Sequence, residues 1–533
     1  MPPAALWLVL GMVAAFGVAA AAFPAPAASR TNHYDFFITE TKVTRLCREK
    51  SVLAVNGQFP GPTIEARRGD VVVVNVHNQG HKNITLHWHG VDQPRNPWFD
   101  GPEYITQCPI APGANFAYTV LLSHEEGTLW WHAHSDFDRA TVHGAFVVRP
   151  NKLGSTYPYP KPHGEIPVIL GEWWNADVEK LLEETKRTGG DVNVSDANTI
   201  NGQPGDMFPC SVAGTFRAVV ERGRTYLLRV INAGLTNDMF FAVAGHRLTV
   251  VGTDGRYLKP FAADHIMIAS GQTMDVLLHA NNTKGGRYYM AARTFQTNPQ
   301  LTVNNSTATA VIEYAGAAAT PPELPVLPAV GDLAAATAYT ARLRSLATAA
   351  HPADVPSRVD ERMVVTVSVN VLPCGGGPNN SKETCEGPIN GTRLAASLNN
   401  VSFVSPAGVD VLDAYYSSVG GGGVQLHGGG AGDGAVVHEA GHQGEGARLR
   451  RRRGGGVPGH LHPRRRAAPD TPPRLRILRG GKRVRQLRRG QGPGHVQPRG
   501  PAVPEHRLHA LGRVGRNPLP GHKPWCVVHA LPL

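Results

Sequence analysis

A chain of 533 residues, 41% of them hydrophobic, is too long for one core and too apolar for a disordered segment, so two to four folded domains are expected. The formal charge of +12 would point to nucleic acid or an acidic membrane, but most of the surplus lies after about Gly420 and does not belong to the folded part.

Leu6 to Ala22 is an apolar run followed by small residues and prolines, which predicts a signal peptide over residues 1–28. A membrane anchor would need a longer and less alanine-rich run. No later stretch is long and apolar enough to span a bilayer, so a secreted, extracellular protein is expected, without a membrane partner. Eight N-x-S/T sequons, at Asn83, Asn193, Asn281, Asn304, Asn305, Asn379, Asn390 and Asn400, suit a glycoprotein. The six cysteines suit disulfides, whose connectivity spacing alone does not give.

Residues 29–150 read as short strands broken by turns. Val71–Val76 is a β-branched run, Asn56-Gly57 and Pro60-Gly61-Pro62 are turns, and Val142–Val148 is a further strand. Within this region Leu86–Gly90 reads L-H-W-H-G and Trp130–His134 reads W-W-H-A-H. Side chains alternate along a strand, so His87 and His89 share one face with Trp88 on the other, and His132 and His134 share a face with Ala133 turned away. A lone His-x-His is common by chance, but two such pairs beside tryptophans predict a metal site. Clustered neutral imidazoles with no acidic ligand favour copper or zinc over calcium or magnesium.

Residues 151–315 repeat the style, with strands expected at Glu165–Trp173, Tyr226–Ile231, Leu248–Gly252, Val276–His279 and Ala310–Tyr314, and one helix at Asp177–Thr188. His246, His265 and His279 are scattered singly and read as structural or surface histidines. Residues 316–360, rich in Ala and Pro, read as a linker. Residues 361–420 begin a third β domain, with strands expected at Met363–Leu372, Leu398–Val404 and Val409–Tyr416. The fold class is therefore all-β, of tandem sandwiches or barrels.

Residues 421–533 break the pattern with runs such as R-L-R-R-R-R-G-G-G and almost no aromatics. An Arg/Gly-rich nucleic-acid-binding segment fits poorly with a signal peptide and sequons, so no nucleic-acid partner is expected. A metal tract at His438, His442, His460 and His462 has no regular spacing. The remaining reading is a disordered tail made by GC-rich coding sequence in a shifted frame.

The run H-W-H-G-V-D-Q-P-R-N-P-W-F-D-G-P from His87, Q-C-P-I from Gln107 and G-T-L-W-W-H-A-H-S from Gly127 resemble the plant laccases, secreted multicopper oxidases of three cupredoxin-like domains. The resemblance extends from about Thr31 to about Gly420. It implies that His87 ligates a type 2 copper, that His89, His132 and His134 ligate the type 3 pair, and that Asp100 assists proton delivery; otherwise Asp100 is a plain turn residue. It also implies a Cys47–Cys210 disulfide, and a bond from Cys108 to a cysteine near the C-terminus. The implied activity is one-electron oxidation of phenols, such as lignin precursors, coupled to reduction of dioxygen to water by about four copper ions in a monomer. Domains 29–150 and 151–315 would then be complete and 361–420 truncated.

The tail is legible in the same terms. Shifted forward by one base, permitted codons for Ala468–Arg476 give H-P-I-H-L-H-G-F, and those for the stretch from Val514 give W-A-A-I-R-F-R-A-T-N-P-G-V-W-F-M-H-C-H. Both resemble the third-domain copper motifs of laccases. The present chain keeps only His87, His89, His132 and His134 of the cluster and lacks the type 1 cysteine, because Cys526 has no matching histidine pattern. Laccase activity is thus implied for a frame-restored product. Two alternatives stand: a non-catalytic secreted β protein that binds a copper weakly, and another multicopper oxidase such as ascorbate oxidase.

Overall fold

The computed structural model describes residues 29–417, except 152–155, 285, 299–300, 319, 354, 375–384, 386, 388, 390 and 404–408, together with short strand pairs at Gln425–Leu426 and Val437–His438. The expected signal segment, Asn379, Asn390 and nearly all of the expected tail lie outside the described residues.

The first domain is built from β1 (Thr31–Arg45), β2 (Arg48–Val55), β3 (Ile64–Arg67), β4 (Val71–Asn78), β5 (Leu86–His89), β6 (Asn115–Leu121), β7 (Gly127–Ala133) and β8 (His143–Arg149). They form two four-stranded sheets, ordered β2-β1-β4-β6 and β3-β8-β7-β5. The β-branched run of β4 alternates as a half-buried strand should, with Val72, Val74 and Val76 inside. Leu86, Trp88, Leu129, Trp131 and Phe146 fill the space between the sheets. Every residue of β7 is buried, so both its faces are covered. Leu129, Trp131 and Ala133 face the first core, whereas Trp130 packs with Ile169 and Ile231 of the next domain.

The second domain contains β9 (Gly164–Trp173), α1 (Val178–Thr188), β10 (Ala197–Ile200), β11 (Arg217–Val220), β12 (Thr225–Asn232), β13 (Asp238–Val243), β14 (Leu248–Thr253), β15 (Arg256–Ala263), β16 (Ile266–Ile268), β17 (Thr273–His279), β18 (Arg287–Phe295) and β19 (Thr307–Tyr314). Sheets ordered β10-β9-β12-β17-β14-β15 and β11-β19-β18-β13-β16 enclose a core that includes Phe240, Phe241 and Tyr288. Asp177 caps α1 by accepting from Glu179 N, and Gly189 ends it at φ 66°. The Cys47–Cys210 disulfide joins this domain to the first. Cys374 pairs with Cys385, and Cys108 is disulfide-bonded too.

Three expectations are corrected. The segment 316–360 is not a plain linker. It holds helix α2 (Leu333–Thr340), capped by Asp332, with Ala336 and Tyr339 buried in the second core. Lys259 N donates to Arg344 O and Leu346 N to Tyr257 O, lacing the same segment to β15. The helix-forming alanines outweigh the prolines around them. Farther on, β20 (Val367–Pro373) pairs with β21 (Thr392–Leu398), so the expected strand Leu398–Val404 is displaced. Asn399 and Asn400, at φ 51° and 65°, end β21 in a turn closed by Val401 N on Leu398 O. Val409–Tyr416 is not a strand but helix α3 (Val411–Ser417), because Asp410 Oδ1 accepts from Asp413 N and caps it. Val369, Val371, Leu398 and Phe403 are exposed around the β20–β21 hairpin.

Among the described residues no helix is long and apolar enough to cross a membrane.

Candidate metal centre

Antiparallel pairing of β5 with β7 sets His87 opposite His132 and Trp88 opposite Trp131. Trp88 and Trp131 point into the first core, so the alternation of the strands sends His87, His89 and His132 to the other side, against the second domain. The ligand-capable atoms of these three histidines all lie within 4.8 Å of one another. His89 Nδ1 is 3.3 Å from His132 Nε2. His134 lies just past the end of β7, with its N donating to Thr85 O. Its ring centroid is 5.4 Å from that of His87 and 5.9 Å from that of His132. It borders the group of three rather than joining it.

Two backbone carbonyls orient the rings. His87 Nδ1 donates to Asp100 O at 2.7 Å, and His132 Nδ1 donates to Ala133 O at 2.8 Å. A carbonyl only accepts, so each Nδ1 carries a proton and Nε2 is the nitrogen left to bind a metal. The Asp100 carboxylate is farther off, with Oδ1 3.5 Å from His87 Nδ1. Burial, then the nearby His87 and Arg139, push His89 down to about 3. Burial likewise holds His132 well below the usual histidine range. Neutral imidazoles are the ligand form, and no carboxylate oxygen belongs to the group of three, so the donor set fits copper or zinc.

The surroundings are tight. Trp130 lies 4.2 Å from the His132 ring and donates its Nε1 to Gly271 O. Gly271 sits at φ 87°, and a Cβ there would come within 3.2 Å of the His89 ring. A cleft of about 370 Å³ opens beside His132 and His134, lined also by Asp136, Arg139 and Leu235. Arg139 Nη2 donates to Leu235 O, tying the turn after the second histidine pair to the second domain. Neither Gly271 nor Arg139 was singled out from the sequence. An isolated Gly beside a strand and an Arg after His-x-His carry no motif; only the fold brings them to the rings.

Comparison with known proteins places the chain in a family. Family models described as multicopper oxidase match residues 37–153 and 164–317. The chain is 65% identical over 428 residues to putative laccase-9 of Oryza sativa subsp. japonica, covering 78% of this chain and 72% of that protein. It is 48% identical over 398 residues to laccase-14 of Arabidopsis thaliana, covering 74% and 68%. Among solved structures, Fet3p, a multicopper oxidase that functions in iron import, matches with a TM-score of 0.60 at 22% identity, over 73% of this chain and 68% of that one. The laccase from Botrytis aclada matches with a TM-score of 0.55 at 23% identity, over 73% and 67%. At these identities the structural likeness is one of fold, that of cupredoxin-like β-sandwiches.

Proposed function

Because the chain belongs to the multicopper oxidase family and, within it, to the plant laccases, we propose that its first domain holds half of the copper cluster of a secreted phenol oxidase, and that the other half is encoded out of frame after about Gly420. It is an oxidoreductase of the laccase type, and the family implies phenolic substrates and dioxygen. The observation that carries the reading is the group His87, His89 and His132, three imidazoles from two paired strands within 4.8 Å.

In this reading His87 and His132 present Nε2 to copper while Asp100 O and Ala133 O hold their Nδ1 protons. His89 completes the group from the same strand as His87, and His134 supplies a further imidazole at its edge. Bound copper supplies one-electron redox chemistry between a phenol and dioxygen. The Asp100 carboxyl group, with Oδ1 3.5 Å from His87 Nδ1, is the group this reading assigns to proton delivery during the reduction of dioxygen. Trp130 of β7 and the Gly271 backbone of the second domain, joined by the indole hydrogen bond, press on the rings and limit solvent there. Extracellular placement rests on the apolar segment 1–28 and on the exposed sequons at Asn83, Asn193 and Asn281.

The test begins with the transcript. Sequencing cDNA between Val409 and Gly456 should reveal a frame that restores H-P-I-H-L-H and H-C-H. The restored protein, secreted in the presence of copper, should take up oxygen with simple phenols, and the present chain should not. Uptake with ascorbate but not phenols would replace the laccase assignment by ascorbate oxidase. An intense blue thiolate-to-copper band from the present chain would overturn the out-of-frame reading.

A further inference from the structure

Helix α3 does not hang free of the first domain. Its first backbone N–H groups are satisfied there, with Val411 N donating to Tyr104 O at 3.0 Å and Leu412 N to Ile105 O at 2.8 Å. At its other end the Tyr416 ring packs on Trp98 with centroids 5.0 Å apart. Asp410, only 2% exposed, caps the helix between these contacts.

The segment that receives the helix, residues 97–107, is the one that orients His87. Asp100 O accepts from His87 Nδ1, and Phe99 O accepts from Trp88 Nε1 at 3.0 Å. Gly101 lies so close to β5 that a Cβ would come within 1.8 Å of Leu86 O. The segment is short and internally bonded, through Asp100 N to Pro97 O, Gly101 N to Thr106 Oγ1 and Tyr104 N to Gln107 O. A displacement at Trp98 or Tyr104 therefore reaches Asp100 through a few stiff links.

We propose that α3 clamps residues 97–107 onto β5, and that Trp98 and Tyr416 are positioning residues for His87, acting through the Asp100 carbonyl. The remnant of the third domain thus contributes to the copper site without supplying a ligand. The inference rests on the reading of His87 as a copper ligand, but the clamp itself is open to measurement without metal.

Tyr416 is 60% exposed, so its replacement leaves both cores intact. In the full metal-free chain, Tyr416→Ala should speed hydrogen exchange at the Asp100 and Gly101 amides about threefold to tenfold, the range of one aromatic pair. Amides of β12 should not change. Tyr416→Phe, which keeps the ring pair, should restore the original rates. Trp98→Ala should match Tyr416→Ala, and the double variant should add nothing further. With Cu(II) added, the electron paramagnetic resonance spectrum should change in Tyr416→Ala and return in Tyr416→Phe. Unchanged exchange in Tyr416→Ala, equal rates in the Ala and Phe variants, or additive effects would overturn the clamp. Altered exchange with an unaltered copper spectrum would overturn the link to His87. Altered exchange in a protein that takes up no copper would support the clamp and sink the copper reading.

Discussion

Arg229 and Asp275 face each other at 3.3 Å, each 3% exposed or less, where the second domain meets the start of the histidine strand β7. Arg229 also donates to Thr128 Oγ1 of β7 and pairs with Glu165, while Thr128 Oγ1 donates to Asp275 Oδ1. The two domains are thus tied by a desolvated polar network as well as by the Trp130 contact. Removing one partner of such a pair strands a buried charge and costs about 3–5 kcal/mol. Arg229→Met should lower unfolding stability by about that amount, and adding Asp275→Asn should recover part of it. Urea unfolding of the three proteins checks the prediction. A single variant as stable as the parent would show that the network carries no net stability.

The clustering of the histidines in the candidate metal centre is legible in the sequence because it obeys a local rule. A strand alternates faces, so L-H-W-H sets Trp88 and W-W-H-A-H sets Ala133 opposite the histidines, and Trp88 and Ala133 do lie in the core. The Arg229 network was not legible, because Thr128, Glu165, Arg229 and Asp275 are far apart in the chain and unremarkable one by one. Helix α3 is hidden in the sequence for another reason. V-D-V-L-D-A-Y-Y alternates well enough for a strand, and only the Asp410 cap decides otherwise. In α2 the Ala-rich sequence looks like a linker because the buried Tyr339 that anchors it has a partner only in three dimensions.

Copper retention should separate ligands from bystanders. His132→Ala removes a buried imidazole from the group of three and should weaken copper binding by about tenfold or more. His246 is buried too, but its Nδ1 donates to Ala244 O and its Nε2 meets Tyr314 Oη, and among the described residues it belongs to no group of clustered ligand atoms. His246→Ala should leave copper content unchanged. Metal analysis after dialysis reads both variants, and equal losses would point to general unfolding instead.

Acid should strengthen one link between the first domain and α1. His81 Nδ1 lies 2.9 Å from Glu40 and Nε2 3.1 Å from Glu179, with Lys82 beside it and 3.9 Å from Glu179. The hydrogen bond to Glu179 raises the His81 pKa, and with the charges of Glu179 and Glu40 it outweighs burial, which lowers it. A group with a raised folded pKa binds protons more tightly when folded, so its stabilisation is full below the ordinary value of 6.5 and fades as pH rises through the folded value. The site is half exposed, so the effect is small and screened by salt. The melting temperature of the parent should exceed that of His81→Gln at pH 5, and the two should converge at pH 8. A constant difference would assign His81 a role independent of its charge.

Glycan occupancy should follow exposure rather than the sequon pattern. Asn83, Asn193, Asn281, Asn305 and Asn400 are exposed, whereas Asn304 is 7% exposed. Its Nδ2, the atom that would carry a glycan, donates to Ser195 O at 2.6 Å, and its Oδ1 accepts from Ser306 N at 2.7 Å. A sugar on that nitrogen would have to displace the bond and open the wall between Ser195 and β19. Folded, secreted protein should therefore carry no glycan at Asn304, while its neighbour Asn305 is free to be modified. Asn304→Gln should destabilise the second domain by about 1–3 kcal/mol, the cost of leaving buried partners unmatched, although it removes no sugar. Enzymatic deglycosylation in heavy-oxygen water followed by peptide mass spectrometry marks each occupied asparagine. A heavy-oxygen label on Asn304 in the folded fraction would contradict the placement of this side chain.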